Sequence, residues 1–120
     1  MAKILVIDDE PGILRIACAA LEAAGHSVAA YPDGRGGIEH IRREAPDLLI
    51  TDIFMPEMEG LETIRQARAL HSLMPIIAIS GVSFDDGDYL DIAEKFGAVA
   101  TLKKPFRPAD LLGLVIQLLA

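Results

Sequence analysis

The sequence predicts an α/β domain, an open, doubly wound parallel sheet made of five βα units. Three observations predict it. Short apolar runs alternate with segments of helical period along all 120 residues, and strands alternating with helices call for a parallel sheet covered on both faces. The runs are continuously apolar, the pattern of strands buried on both sides. Five units are too few to close an eight-stranded barrel, so the open sheet is preferred.

The elements follow in order. Ile4-Leu5-Val6-Ile7 is the first strand, closed by acids. Ile13, Ile16, Ala17, Ala20, Leu21 and Ala24 then recur at helical spacing, and Gly25 ends that helix. His26-Ser27-Val28-Ala29-Ala30 is a short second strand, followed by the turn residues Pro32-Asp33-Gly34. Ile38 and Ile41 mark a short amphipathic helix. Asp47-Leu48-Leu49-Ile50-Thr51 is the third strand, ending at Asp52, and Leu61, Ile64 and Ala67 carry the helix after it. Pro75-Ile76-Ile77-Ala78-Ile79 is the fourth strand, ending at Ser80. Tyr89, Ile92, Ala93 and Phe96 lie on a helix whose first turn holds Asp85, Asp86 and Asp88, the sign a helix dipole favours there, and Gly97 stops it. Ala98-Val99-Ala100-Thr101-Leu102 is the fifth strand. A last helix starts at Pro108, a residue suited to a first helical position.

The bulk numbers fit one domain over residues 1–120. The composition is 52% hydrophobic and 24% charged, which is globular, and a chain this long can bury a core without disulfides or structural metal. Aromatics are only 5%, so the core is aliphatic. The net charge of −7 argues against a nucleic-acid surface and suits a domain that attracts cations or basic partners. Cys18 is the only cysteine, which excludes an internal disulfide and a zinc cluster; it is expected to be a buried small hydrophobe. The N-terminal apolar run is too short for a signal peptide, and no stretch reaches the roughly 20 apolar residues of a membrane span, so a cytoplasmic protein without a membrane partner is expected. His26, His40 and His71 share no metal-ligand spacing and read as surface or satisfied histidines. Met55, Met58 and Met74 read as packing or loop residues.

In open α/β sheets ligands bind outside the carboxyl ends of the strands. Those ends carry Asp8, Asp9 and Glu10 on strand one, Asp52 on strand three, Ser80 on strand four, and Lys103 and Lys104 before Pro105 on strand five. Taken singly, each has an ordinary explanation: an acidic pair caps a helix, Ser80-Gly81 is turn chemistry, and Lys104 is a solvated loop charge. Asp52 is the least ordinary, because apolar neighbours flank it and a buried carboxylate without a partner is costly. Together they suit metal-assisted phosphoryl chemistry. Clustered carboxylates repel unless a cation or proton neutralises them. Mg²⁺ takes oxygen ligands, and Asp9 and Asp52 could bind it directly with Asp8 acting through water. Asp52 would be the nucleophile, Ser80 a hydroxyl donor and a lysine the second positive charge.

These residues carry a resemblance to a known family, the receiver domains of two-component response regulators, over essentially the whole chain. Ile4-Leu5-Val6-Ile7-Asp8-Asp9-Glu10 resembles the family's opening strand and acidic pair. Asp52-Ile53-Phe54-Met55-Pro56, with Gly60 beyond, resembles its phosphoacceptor segment. Ser80 matches its Thr/Ser position and Lys104-Pro105-Phe106 its Lys-Pro-Phe segment. The resemblance implies a flavodoxin-like fold with strand order 2-1-3-4-5. It implies Mg²⁺ held by Asp9, Asp52 and the backbone carbonyl of Phe54, with Asp8 assisting. It implies transfer of a phosphoryl group to Asp52 from a sensor histidine kinase or phosphotransfer protein, and a cis bond between Lys104 and Pro105. Lys104, directly before the proline, is the family lysine, and Lys103 should face the other way.

Two positions depart from the pattern. Thr101 stands where the family usually has Tyr or Phe as a switch side chain, so a signal would have to travel through Ser80 and the loops. Phe54 stands where many relatives carry a polar side chain, and its bulk should hinder attacking water. The last helix, Leu111 to Leu119, is apolar nearly all round; its outer face is either left over from a longer protein or a face for an output domain or a second copy. The chain is accordingly expected to be either a stand-alone receiver or one part of a larger protein.

Three other classes compete. A haloacid-dehalogenase-type phosphatase needs a second acid where Phe54 stands. A flavodoxin needs a hydroxyl- and Gly-rich loop where Asp8-Asp9-Glu10 stands. A degenerate receiver acting only as a protein-binding module is the alternative that Thr101 keeps open.

Overall fold

The computed structural model of the chain describes residues 2–53, 59–81 and 93–120. Its elements run β1 (Lys3–Ile7), α1 (Pro11–Ala23), β2 (Ser27–Tyr31), α2 (Gly34–Arg43), β3 (Leu48–Asp52), α3 (Glu59–Leu70), β4 (Ile76–Ser80), β5 (Ala100–Lys103) and a last helix (Pro108–Leu119). All strand pairs are parallel, and the order across the sheet is β2-β1-β3-β4-β5. The expected architecture and order are both present.

Period-two alternation sorts the strands' side chains onto two faces. Leu5, Ile7, Leu49, Ile76 and Ala78 pack under α2 and α3, against Ile38, Ile41, Leu61 and Ile64. Ile4, Val6, Leu48, Ile50, Ile77 and Ile79 pack under α1 and the last helix, against Ala17, Leu21, Leu111 and Val115. The central strands β3 and β4 are buried throughout, which explains why they read as unbroken apolar runs. Each large aliphatic side chain so buried contributes about 1.5–3 kcal/mol. Edge strands β2 and β5 are only partly covered.

Local signals explain the helix ends. Pro11 and Pro108 open their helices, and Gly25 after α1 and Gly97 before β5 take positive φ. Residues 93–96 are helical up to Gly97. The rest of that expected helix, with Asp85, Asp86, Asp88, Tyr89 and Ile92, lies outside the described residues, as do Phe54, Met55 and Met58.

The structure corrects several readings. Asp33 and Gly34 are not a free turn: Asp33 caps α2, its Oδ1 accepting from the Gly36 N–H at 2.8 Å, and Gly34 is the first helical residue. The buried stripe of α1 is Ala17 and Leu21, with Leu14 packed beside them, while Ile16 is 46% exposed and Ala24 is exposed. Ile13, Ile16, Ala20 and Ala24 thus form a flanking row, because in an alanine-rich helix several stripes share the period. Cys18 is half-buried rather than buried, and burial together with the Glu22 charge raises its thiol pKa. Strands β3, β4 and β5 also start one or two residues later than expected, at Leu48, Ile76 and Ala100 rather than Asp47, Pro75 and Ala98. His26 and His40 have partners, the Ala2 N–H and the Tyr31 hydroxyl respectively, and Met74 lies in the core.

Candidate functional site

The parallel register delivers the polar residues to one edge. Ile7 pairs with Thr51, Asp52 with Ile79, and Ser80 with Lys103. Asp8, Asp52, Ser80 and Lys104 therefore lie within one residue of the carboxyl ends of four neighbouring strands. Backbone hydrogen bonds extend the ladder just past the strand ends: Asp8 N donates to Tyr31 O, Ile53 N to Ile79 O, and Lys104 N to Ser80 O at 2.8 Å. Phe106 packs against the core on the α1 side, and the Lys104–Pro105 bond is cis, as the resemblance implied.

Lys104 turns inward with only 8% of its side chain exposed, whereas Lys103 is exposed. Its Nζ lies 2.8 Å from Asp8 Oδ2, 2.8 Å from Glu10 Oε1 and 2.9 Å from Asp52 Oδ2. Burial works against the ammonium, but the contacts with Asp8, Glu10 and Asp52 outweigh it and raise the Lys104 pKa above the ordinary lysine value. Asp8 and Asp52 are both buried. Asp8 Oδ1 accepts the Glu10 N–H at 2.9 Å, which also fixes the entry to α1. Burial raises the Asp8 pKa, and Lys104 and the Glu10 N–H only partly oppose that. Asp8 Oδ2 touches Lys104 as an ion pair without the angle of a well-formed hydrogen bond.

The donor set suits a hard cation. Asp8, Asp9, Glu10 and Asp52 offer carboxylate oxygens that all lie within 4.8 Å of one another, two from buried and two from exposed residues. An all-oxygen cluster with a wet side matches Mg²⁺, which keeps several waters. The buried, incompletely bonded Asp8 Oδ2 is a further mark of a site built for an additional positive charge.

Two glycines make room here. A Cβ on Gly60 would lie 2.3 Å from Asp52 O and 2.4 Å from Ile53 Cα, so only glycine lets α3 begin against the chain leaving Asp52. A Cβ on Gly81 would press on Lys104 Cδ at 3.0 Å. The closeness of Gly81 to Lys104 and the inward role of Glu10 were missed from sequence; the small residue beside Ser80, read as turn chemistry, and the third consecutive acid were the available signals.

Residues 4–116 match the response regulator receiver domain family. The chain belongs to that family. Phosphorylation-dependent signalling is what the family does. This receiver is 33% identical over 119 residues to the response regulator receiver protein CpdR of Brucella abortus, covering 99% of this chain and 98% of that protein. It is 36% identical over 112 residues to the response regulator protein TodT of Pseudomonas putida, covering 93% of this chain but 48% of that one. Several curated relatives are thus about twice its length. The crystal structure of a CheY-like receiver domain protein from Methanospirillum hungatei agrees with a TM-score of 0.91 at 30% identity, covering 99% of this receiver and 94% of that chain. The acids, Ser80 and Lys104 all stand at the sheet edge, and the comparisons do not support the degenerate alternative. Among the described residues no helix is long and apolar enough to cross a membrane.

Proposed function

We propose that residues 1–120 act as the receiver switch of a cytoplasmic two-component phosphorelay, in which Asp52 accepts a phosphoryl group from a phosphohistidine on a sensor kinase or phosphotransfer protein. One observation carries the reading: Lys104 Nζ bridges the buried carboxylates of Asp8 and Asp52 at the carboxyl edge of the sheet. Asp9 and Asp52 would hold Mg²⁺ with the Phe54 carbonyl, which lies outside the described residues, and Asp8 would assist through water. The metal supplies charge neutralisation for the incoming phosphoryl oxygens.

The chain's own residues do the rest. An Asp52 carboxylate oxygen attacks phosphorus, an acyl phosphate bond forms, and the phosphorus–nitrogen bond to the donor imidazole breaks, its electron pair staying on nitrogen. Lys104, already against Asp52, neutralises one phosphoryl oxygen, and the Ser80 hydroxyl donates to another. The receiver catalyses its own phosphorylation and a slow hydrolysis. Phe54 slows that hydrolysis by obstructing water. The outer side of the last helix, where Ile116 is 69% exposed, faces an output domain or a second copy.

Intact mass after incubation with Mg²⁺ and acetyl phosphate tests the reading. A gain of one phosphoryl group is expected in the wild type and none in Asp52→Asn or after chelation. No adduct in the wild type, even with a phosphorylated donor protein, would leave a binding module.

A further inference from the structure

The three acceptors around Lys104 Nζ are not equivalent. Asp8 and Asp52 have side chains 0% and 2% exposed, whereas that of Glu10 is 60% exposed. Glu10 occupies the N-cap of α1, yet its side chain makes no cap hydrogen bond and reaches back to Lys104 instead. An ammonium has three N–H donors, and here three carboxylates surround it. A phosphoryl group on Asp52 would bring further anionic oxygens. Bringing the ammonium onto those oxygens draws it away from its present partners, Glu10 and Asp52 by hydrogen bond and Asp8 by ion pair. The least costly to release is Glu10, whose carboxylate returns to water while the buried carboxylates cannot.

Resting on the phosphoacceptor reading above, we propose that Glu10 is a positioning residue: it holds Lys104 Nζ against Asp8 and Asp52 at rest and releases it to the phosphoryl oxygens. The contact sets where the Lys104 charge sits before the phosphoryl group arrives. It also favours the resting state, so its loss should make occupation of the site by a phosphoryl-like anion easier. Replacing Glu10 removes no cap hydrogen bond, and the start of α1 keeps Pro11 and the Asp8 contact to the Glu10 N–H.

Exchange of the lysine ammonium protons with water, read by ¹⁵N–¹H correlation spectra of the full chain, tests the resting contact. The Lys104 signal is assigned by its loss in Lys104→Arg. In metal-free wild type, Lys104 should exchange more slowly than the exposed Lys3 and Lys103. Glu10→Gln should speed its exchange about two- to five-fold, the factor for an exposed ion pair worth up to about 1 kcal/mol. Glu10→Asp, one methylene shorter, should do the same. With saturating Mg²⁺, beryllofluoride should bind Glu10→Gln about two- to five-fold more tightly than wild type by calorimetry. Equal Lys104 exchange in wild type and Glu10→Gln overturns the proposal. So does a tenfold or greater loss of Mg²⁺ affinity in Glu10→Gln, which would make Glu10 a metal ligand. Failure of the underlying reading looks different: neither protein would bind beryllofluoride, which removes the release step while the exchange difference still establishes the resting contact.

Discussion

Replacing Lys104 with methionine should convert the site into a source of instability that pH can repair. The side chain keeps much of its volume, but the ammonium between Asp8 and Asp52 is gone. Two buried carboxylates then face each other without this cation, and one must take a proton. Holding an aspartic acid of ordinary pKa 3.8 neutral at pH 7 costs about 4 kcal/mol, at ~1.4 kcal/mol per unit. That falls inside the ~3–5 kcal/mol typical of breaking a buried ion pair from one side. At pH 5 the same proton costs about 1.7 kcal/mol, so roughly three-fifths of the deficit should vanish. The sign follows from Asp8, whose folded pKa is already raised by burial. Its contribution is fully present below pH 3.8 and is lost as pH rises through the folded value; without Lys104 that loss deepens. Urea unfolding in chelator at pH 7 and pH 5, followed by far-UV circular dichroism because the chain lacks Trp, measures both numbers. Added Mg²⁺ should stabilise the variant more than the wild type. A loss below about 1 kcal/mol at pH 7, or an equal loss at both pH values, would refute the buried-charge account.

Three further outcomes are expected. Gly60→Ala should lose about 1–3 kcal/mol in urea unfolding and slow adduct formation with acetyl phosphate, because its Cβ collides with backbone at Asp52 and Ile53. Arg68→Ala should lose about 2–4 kcal/mol, since its guanidinium donates to the carbonyls of Ser72, Met74 and Gly97 and ties the end of α3 to the chain entering β5; Arg68→Lys should recover less than half. Phe54→Asn should shorten the lifetime of the phosphorylated form, read as decay of the mass adduct; an unchanged decay rate removes any role for Phe54 in excluding water.

The site was largely legible because its parts end strands. Asp8, Asp52 and Ser80 each close an apolar run that is buried on both faces, and a charged or polar residue ending such a run marks the strand's edge. Lys104 over Lys103 followed from the resemblance, whose lysine directly precedes the proline, and alternation in an extended segment then turned Lys103 away. Other features were not. The α1 sequence contains several apolar rows of equal period, and which row faces the sheet depends on how α1 leans against the last helix. The inward reach of Glu10 was hidden for a related reason. An exposed glutamate at a helix start is ordinary, and only the position of Lys104, 94 residues away, makes it a partner.

The sequence by itself determined the order of elements, the parallel sheet and the edge on which the chemistry sits, because apolar period and terminal polarity are local properties of the chain. The tertiary structure alone decided which carboxylates converge on one ammonium, that a side chain at Gly60 would collide with backbone, and that one at Gly81 would press on Lys104. Those depend on distances of a few ångströms between segments far apart in the chain, set by sheet register and helix packing together.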